Sequence, residues 1–155
     1  MRAKHVIAFL VLVAAVVPSL ALAGSSAGPR SSVQILGKAT GLTLVDADKS
    51  GKPSVGDYEI GKVTLVDPAS GETMGHSVVN CTILNASGTE FMCSGFNQFR
   101  GGEIILAGRF SALSKSYRLA IVGGTGDYVG ARGWESGTWL DAKFTKVRIV
   151  DTFDT

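Results

Sequence analysis

Turn signals recur along this chain at short, even intervals, and they constrain its fold more than any other feature. Asp48-Lys49-Ser50-Gly51, Asp67-Pro68-Ala69-Ser70-Gly71, Asn85-Ala86-Ser87-Gly88 and Gly123-Gly124-Thr125-Gly126 separate short runs rich in Val, Ile, Leu, Thr and Phe. That is the pattern of strands joined by tight turns. Strands are expected near 33–45, 57–66, 74–85, 89–99, 102–111, 116–122, 129–140 and 143–151. No window keeps apolar residues at i, i+3, i+4 and i+7 long enough for a substantial helix. Sequential strands leave two unpaired edges unless the sheet closes on itself. The expected fold is therefore all-β, an eight-stranded antiparallel barrel in a single domain, with a two-sheet sandwich as the alternative. An interior of that size admits packed side chains or one small ligand. Glycines inside the strands, at 41, 61, 75, 95, 108, 133 and 137, permit the bends that barrel corners need.

The N-terminal segment has a different character. Arg2 and Lys4 precede an apolar run from Val6 to Val17, Pro18 ends that run, and Ala21 and Ala23 supply the small residues of a cleavage site. Residues 1–23 are expected to be a signal peptide removed after Ala23. A membrane anchor would need about 20 apolar residues. Residues 24–32, all Gly, Ser, Ala, Pro and Arg, are expected to form a flexible leader, and 33–155 the barrel domain. The protein is expected to be secreted, with no membrane association after cleavage. Losing the segment removes two of 15 basic residues and none of 13 acidic ones, so the mature chain is electrically neutral. Lacking a Lys/Arg cluster, it is not expected to bind nucleic acid.

Cys81 and Cys93 flank the Asn85-Ala86-Ser87-Gly88 turn. A hairpin centred on Ser87 pairs 84 with 90 and, counting outward, 81 with 93, placing the two sulfurs within bridging reach. An exported chain permits the bond. A register slip by one residue would instead leave two free thiols on opposite faces. Two N-glycosylation sequons start at Asn80 and Asn85; in a eukaryotic secretory pathway Asn85, on the turn, is the better expected acceptor.

Chemistry can be bounded by what is missing. Gly124 would open a dinucleotide fingerprint, but position 129 is Val and a strand, not a helix, follows. These glycines are expected to take positive φ in a tight connection. Past residue 23 only one histidine, His76, remains, so a Ser-His-Asp triad has little support. With the cysteines paired, too few ligands remain for a catalytic zinc. No cofactor and no metal are expected.

The order of motifs resembles a known superfamily. Gly56-Asp57 opens a strand, Gly75 precedes the strand carrying Cys81, Gly101-Gly102-Glu103-Ile104-Ile105-Leu106-Ala107-Gly108 follows, and Ala120 to Gly133 ends in a G-G-T-G turn, an aromatic and Ala131-Arg132-Gly133. Together they resemble the dirigent and allene oxide cyclase barrel superfamily over roughly residues 56–140. The resemblance implies an eight-stranded antiparallel barrel with a hydrophobic cavity, often a homotrimer. It also implies activity by shaping a reactive small molecule: dirigent proteins steer phenoxy-radical coupling, and the cyclases direct ring closure of a fatty-acid epoxide. In the first strand this chain has Ala39-Thr40-Gly41-Leu42-Thr43, where the superfamily tends to carry an acidic residue.

Three function classes stay open: a cofactor-free barrel steering cyclisation or coupling, a non-catalytic carrier of a small apolar ligand, and a structural, partner-binding domain. The candidate site is placed at the barrel mouth beside the glycine-rich turn. Asp57, Asp127 and Arg132 are the candidate catalytic residues, and Tyr58, Tyr128 and Trp134 the candidate ligand-binding ones. Arg132 and Trp134 share one face of their strand and Glu135 takes the other. If the Arg132 face looks inward, its guanidinium could orient a carboxylate, phenolate or enolate, with Asp127 or Asp57 as proton acceptor. Alternatively, Arg132 and Asp127 pair to brace the turn.

Overall fold

The computed structural model describes residues 30–155. The expected signal peptide and most of the expected leader lie outside the described residues. Eight strands follow one another: β1 (Ser31–Val45), β2 (Tyr58–Val66), β3 (Thr73–Ile83), β4 (Glu90–Phe99), β5 (Gly102–Ser111), β6 (Ser116–Gly124), β7 (Arg132–Trp139) and β8 (Lys146–Asp154). Each pairs antiparallel with the next, and β8 pairs with β1, closing a barrel in strict sequence order. The sandwich is thereby excluded. Among the described residues no helix is long and apolar enough to cross a membrane.

Strand limits differ from the expected ones where turn chemistry intervenes. β1 starts at Ser31 because Ser31 and Ser32 already pair with Phe153 and Thr152 of β8. β7 begins three residues later than expected, at Arg132, because Gly126–Tyr128 forms one turn of 3-10 helix. In that connection Gly126 and Gly130 take positive φ, whereas Gly123 and Gly124 end β6 without it. β8 starts at Lys146, since Asp141 caps its turn by accepting from the Lys143 and Thr145 backbone N–H groups.

The hairpin count at the cysteines holds. Ile83 pairs with Phe91, Thr82 with Met92 and Cys81 with Cys93, and the two cysteines form a disulfide with Cα atoms 4.0 Å apart. Asn85, expected as the better glycan acceptor, spends its side chain on this turn. Its Oδ1 accepts from the Thr89 and Glu90 N–H groups and its Nδ2 donates to Thr89 Oγ1. Asn80 is the exposed sequon asparagine.

Period-two alternation then assigns every side chain to a face. Inward rows include Val147, Ile149, Asp151 and Phe153 on β8, and Phe91, Cys93 and Asn97 on β4, all buried. A register shift between Ala39 and Gly41 exchanges the faces of β1 partway along. One end of the barrel, where the β4–β5 and β6–β7 connections meet, is filled. Tyr128 packs against Phe99 and Phe153, ring centroids 5.7 and 5.9 Å away, over a core of Ile104, Ile121 and Ala131. The opposite end, framed by the β1–β2, β3–β4, β5–β6 and β7–β8 connections, is not filled in this way.

Candidate active site

A cavity of about 170 Å³ enters the barrel from that second end. Its walls are aliphatic (Val63, Val79, Leu119, Val147, Ile149) and aromatic (Phe110, Tyr117, Trp139), and the Cys81–Cys93 disulfide forms part of them. Polar groups are few: Glu59 at the mouth, and Ser77 and Glu135 deeper in. An apolar pocket with a small number of convergent polar groups is the usual form of a small-molecule site.

Glu135 and Asp151 occupy facing positions on β7 and β8, and both point into the barrel. The Asn97 amide lies between them, its Nδ2 donating to Glu135 Oε2 at 2.7 Å and to Asp151 Oδ2 at 3.2 Å. Tyr117 donates its hydroxyl to Glu135 Oε1 at 2.9 Å. Tyr117 reaches Glu135 because its pairing partner on β7 is Gly137; a Cβ there would overlap the Tyr117 ring. Asn97 Oδ1 and Asp151 Oδ1 are buried without a hydrogen-bond partner among the described residues.

Burial governs the ionisation of this group. It raises the Glu135 carboxyl above the ordinary range, against the opposing hydrogen bonds from Asn97 and Tyr117. Asp151 is pushed up to about 8, first by burial and then by the charge of Glu135. Burial, with Glu135 beside it, also lifts the Tyr117 hydroxyl well above its usual value. Glu135 receives two strong donors and Asp151 one longer bond, so Asp151 is the better holder of a shared proton and Glu135 the better base. Glu59 is raised by burial alone.

The six residues selected from the sequence are not brought together, and none lines the cavity. The glycine-rich turn beside which the site was expected lies at the filled end. Asp127 is exposed there, and Tyr128 packs into the plug. Arg132 faces outward and donates to the Ala131 carbonyl. Among the described residues Arg132 and Asp127 form no ion pair; the turn is braced instead by backbone bonds such as Asp127 N–H to the Gly101 carbonyl. Trp134 lies on the outer face between the guanidinium groups of Arg30 and Arg118, at 4.8 and 5.4 Å. Tyr58 is half-buried in the register row that faces away from the cavity. The inward face of β7 is therefore that of Glu135.

Asp57 is buried in the β1–β2 connection, where its carboxylate accepts from the Ala47 and Ser54 N–H groups at 2.7 and 2.8 Å. With Asp46 and Asp48 it forms a carboxylate cluster whose oxygens lie within 4.8 Å of one another, a group that could hold a cation. Asp46, Asp48, Ser50, Gly51 and Asp57 fall at positions 1, 3, 5, 6 and 12 of this segment, the spacing of an EF-hand calcium loop. The loop's own donors already engage these carboxylates: Ser50 N–H and Gly51 N–H on Asp46, Ser50 N–H and Ser54 Oγ on Asp48.

Residues 39–150 match the family model described as the allene oxide cyclase barrel like domain. The chain belongs to that family. No curated protein matches it by sequence. Among solved structures, this allene oxide cyclase-like barrel is similar to a pyocyanin demethylase at 20% identity and TM-score 0.66, covering 79% of this chain and 99% of that one. It is similar to a pterocarpan synthase dirigent protein at 20% identity and TM-score 0.65, covering 81% and 84%. An exo-specific intermolecular Diels-Alderase aligns at 18% identity and TM-score 0.62, covering 83% and 100%. At these identities the likeness establishes the shared barrel and not a shared reaction.

Proposed function

We propose that this barrel binds a small, largely apolar molecule in its cavity and directs that molecule's cyclisation or coupling, with Glu135 as the acid–base group. The observation that carries the reading is a carboxylate held by Asn97 and Tyr117 against an otherwise apolar cavity wall. Glu135 takes up or returns a proton at the bound molecule, Asp151 stores the shared proton behind it, and the walls fix the molecule's conformation. The neighbours' titles, which name a demethylase, a pterocarpan synthase dirigent protein and a Diels-Alderase, support a small-molecule role. The disulfide supports an oxidising compartment, and with it the export expected from residues 1–23. The homotrimer implied by the family resemblance is part of the same proposal.

Gly61 provides the test. It lines the cavity, and an added Cβ would meet nothing nearer than the Val79 carbonyl oxygen at 3.9 Å. Gly61→Leu should fill the cavity and leave the barrel folded. Titration with neutral 1-methylnaphthalene, read by quenching of Trp139 fluorescence, should show saturable binding that Gly61→Leu lowers at least tenfold. Binding unaffected by Gly61→Leu would refute the cavity as the site. Turnover of a substrate identified by mass spectrometry of co-purified molecules should be lost in Glu135→Gln. Retained turnover would leave Glu135 without an acid–base role, and no turnover in the parent protein would favour the carrier.

A further inference from the structure

The groups of the cavity that can carry charge near neutral pH are carboxyls. Glu59 and Glu135 line it, and Asp151 stands directly behind. No Lys, Arg or His side chain lines it among the described residues. Asn97 Nδ2 and the Tyr117 hydroxyl are spent on the carboxylates, and the donors left, the Ser77 hydroxyl and the buried Trp139 indole N–H, are uncharged. Asn97 Oδ1, on a side chain exposed by 1%, remains buried without a donor in the described residues, and the fully buried Asp151 shares its proton with Glu135. Phe110, Tyr117 and Trp139 add ring faces, which carry partial negative charge.

From this composition we propose that the cavity selects flat apolar ligands whose buried end is cationic or donates hydrogen bonds, and discriminates against carboxylates and phenolates. The inference rests on the proposed cavity reading and adds the ligand's charge class to it. An anion entering this pocket loses water and meets carboxylates with no compensating cation, which is costly in a poorly solvated interior. A planar cation meets the opposite conditions: ring faces along its length and acceptors at its end. That reverses the anion-orienting role first considered for Arg132, whose guanidinium is on the outside of the barrel.

Three probes with the same two-ring frame test it on the intact protein at neutral pH by isothermal titration calorimetry: 1-methylquinolinium, 1-methylnaphthalene and 1-naphthoate. The expected order is cation, then hydrocarbon, then anion, with at least tenfold between quinolinium and naphthoate. Glu135→Gln should reduce the preference of quinolinium over methylnaphthalene, and the ranking in the parent protein decides the matter even if that variant does not fold. Naphthoate binding as tightly as quinolinium, and blocked by Gly61→Leu, would overturn the charge preference and leave the cavity reading standing. Failure of all three to bind, or binding indifferent to Gly61→Leu, would overturn the cavity reading and this inference with it.

Discussion

Glu135 and Asp151 face each other on neighbouring strands in a water-poor interior, and two carboxyls so placed share a proton rather than both ionising. This has a consequence for stability. A carboxyl raised on folding keeps its proton in the native state at pH values where the unfolded chain has released it. The contribution of neutral Asp151 is therefore full below its ordinary value of 3.8 and is lost as pH rises through about 8. Glu135, also raised, acts in the same direction. The melting temperature followed by circular dichroism should fall across that window, and Asp151→Asn should flatten the fall. A slope unchanged by the substitution would show that Asp151 does not hold the proton.

At the scale of strands, the pairing of β6 with β7 places Gly137 beneath the Tyr117 ring. Gly137→Ala should push the ring off and break its bond to Glu135, costing about 1–3 kcal/mol as overpacking does. Urea unfolding measures this, and an unchanged midpoint would mean that the ring has room to move. Strand positions and the Cys81–Cys93 register were legible because turn residues and hairpin counting are local properties of the sequence. The site was harder to read because it depends on which face of each strand looks inward, and that is set by pairing across the barrel. Arg132 and Glu135 illustrate the difficulty: both faces of β7 carry one tryptophan, Trp134 beside Arg132 and Trp139 in the row of Glu135, and glycines at 133 and 137 leave the inward row no further apolar residue to mark it. A usable signal did exist on β8. Val147, Ile149 and Phe153 form an apolar row, and Asp151 interrupts it. Asn97 likewise interrupts the row of Phe91, Cys93, Gly95 and Phe99 on β4. A polar residue standing in an apolar row needs a buried partner, and these two are partners of Glu135 through one amide.

Across the whole molecule, the two ends of the barrel are built for different tasks. The glycine-rich turn, the most recognisable stretch of sequence, closes one end with Tyr128 against Phe99 and Phe153. The other end carries an exposed apolar rim, with Leu42 69% and Leu113 80% accessible, around the entrance to the cavity. The central claim is that small molecules enter through this rim and stop at Glu135. Amide and indole chemical-shift mapping during titration with 1-methylnaphthalene tests it most directly. Perturbations should concentrate at Glu59, Phe110, Tyr117, Glu135 and the Trp139 indole, with Asp127, Tyr128, Arg132 and Trp134 unmoved. Shifts confined to the glycine-rich turn, with the Glu135 and Trp139 signals unchanged, would contradict the account.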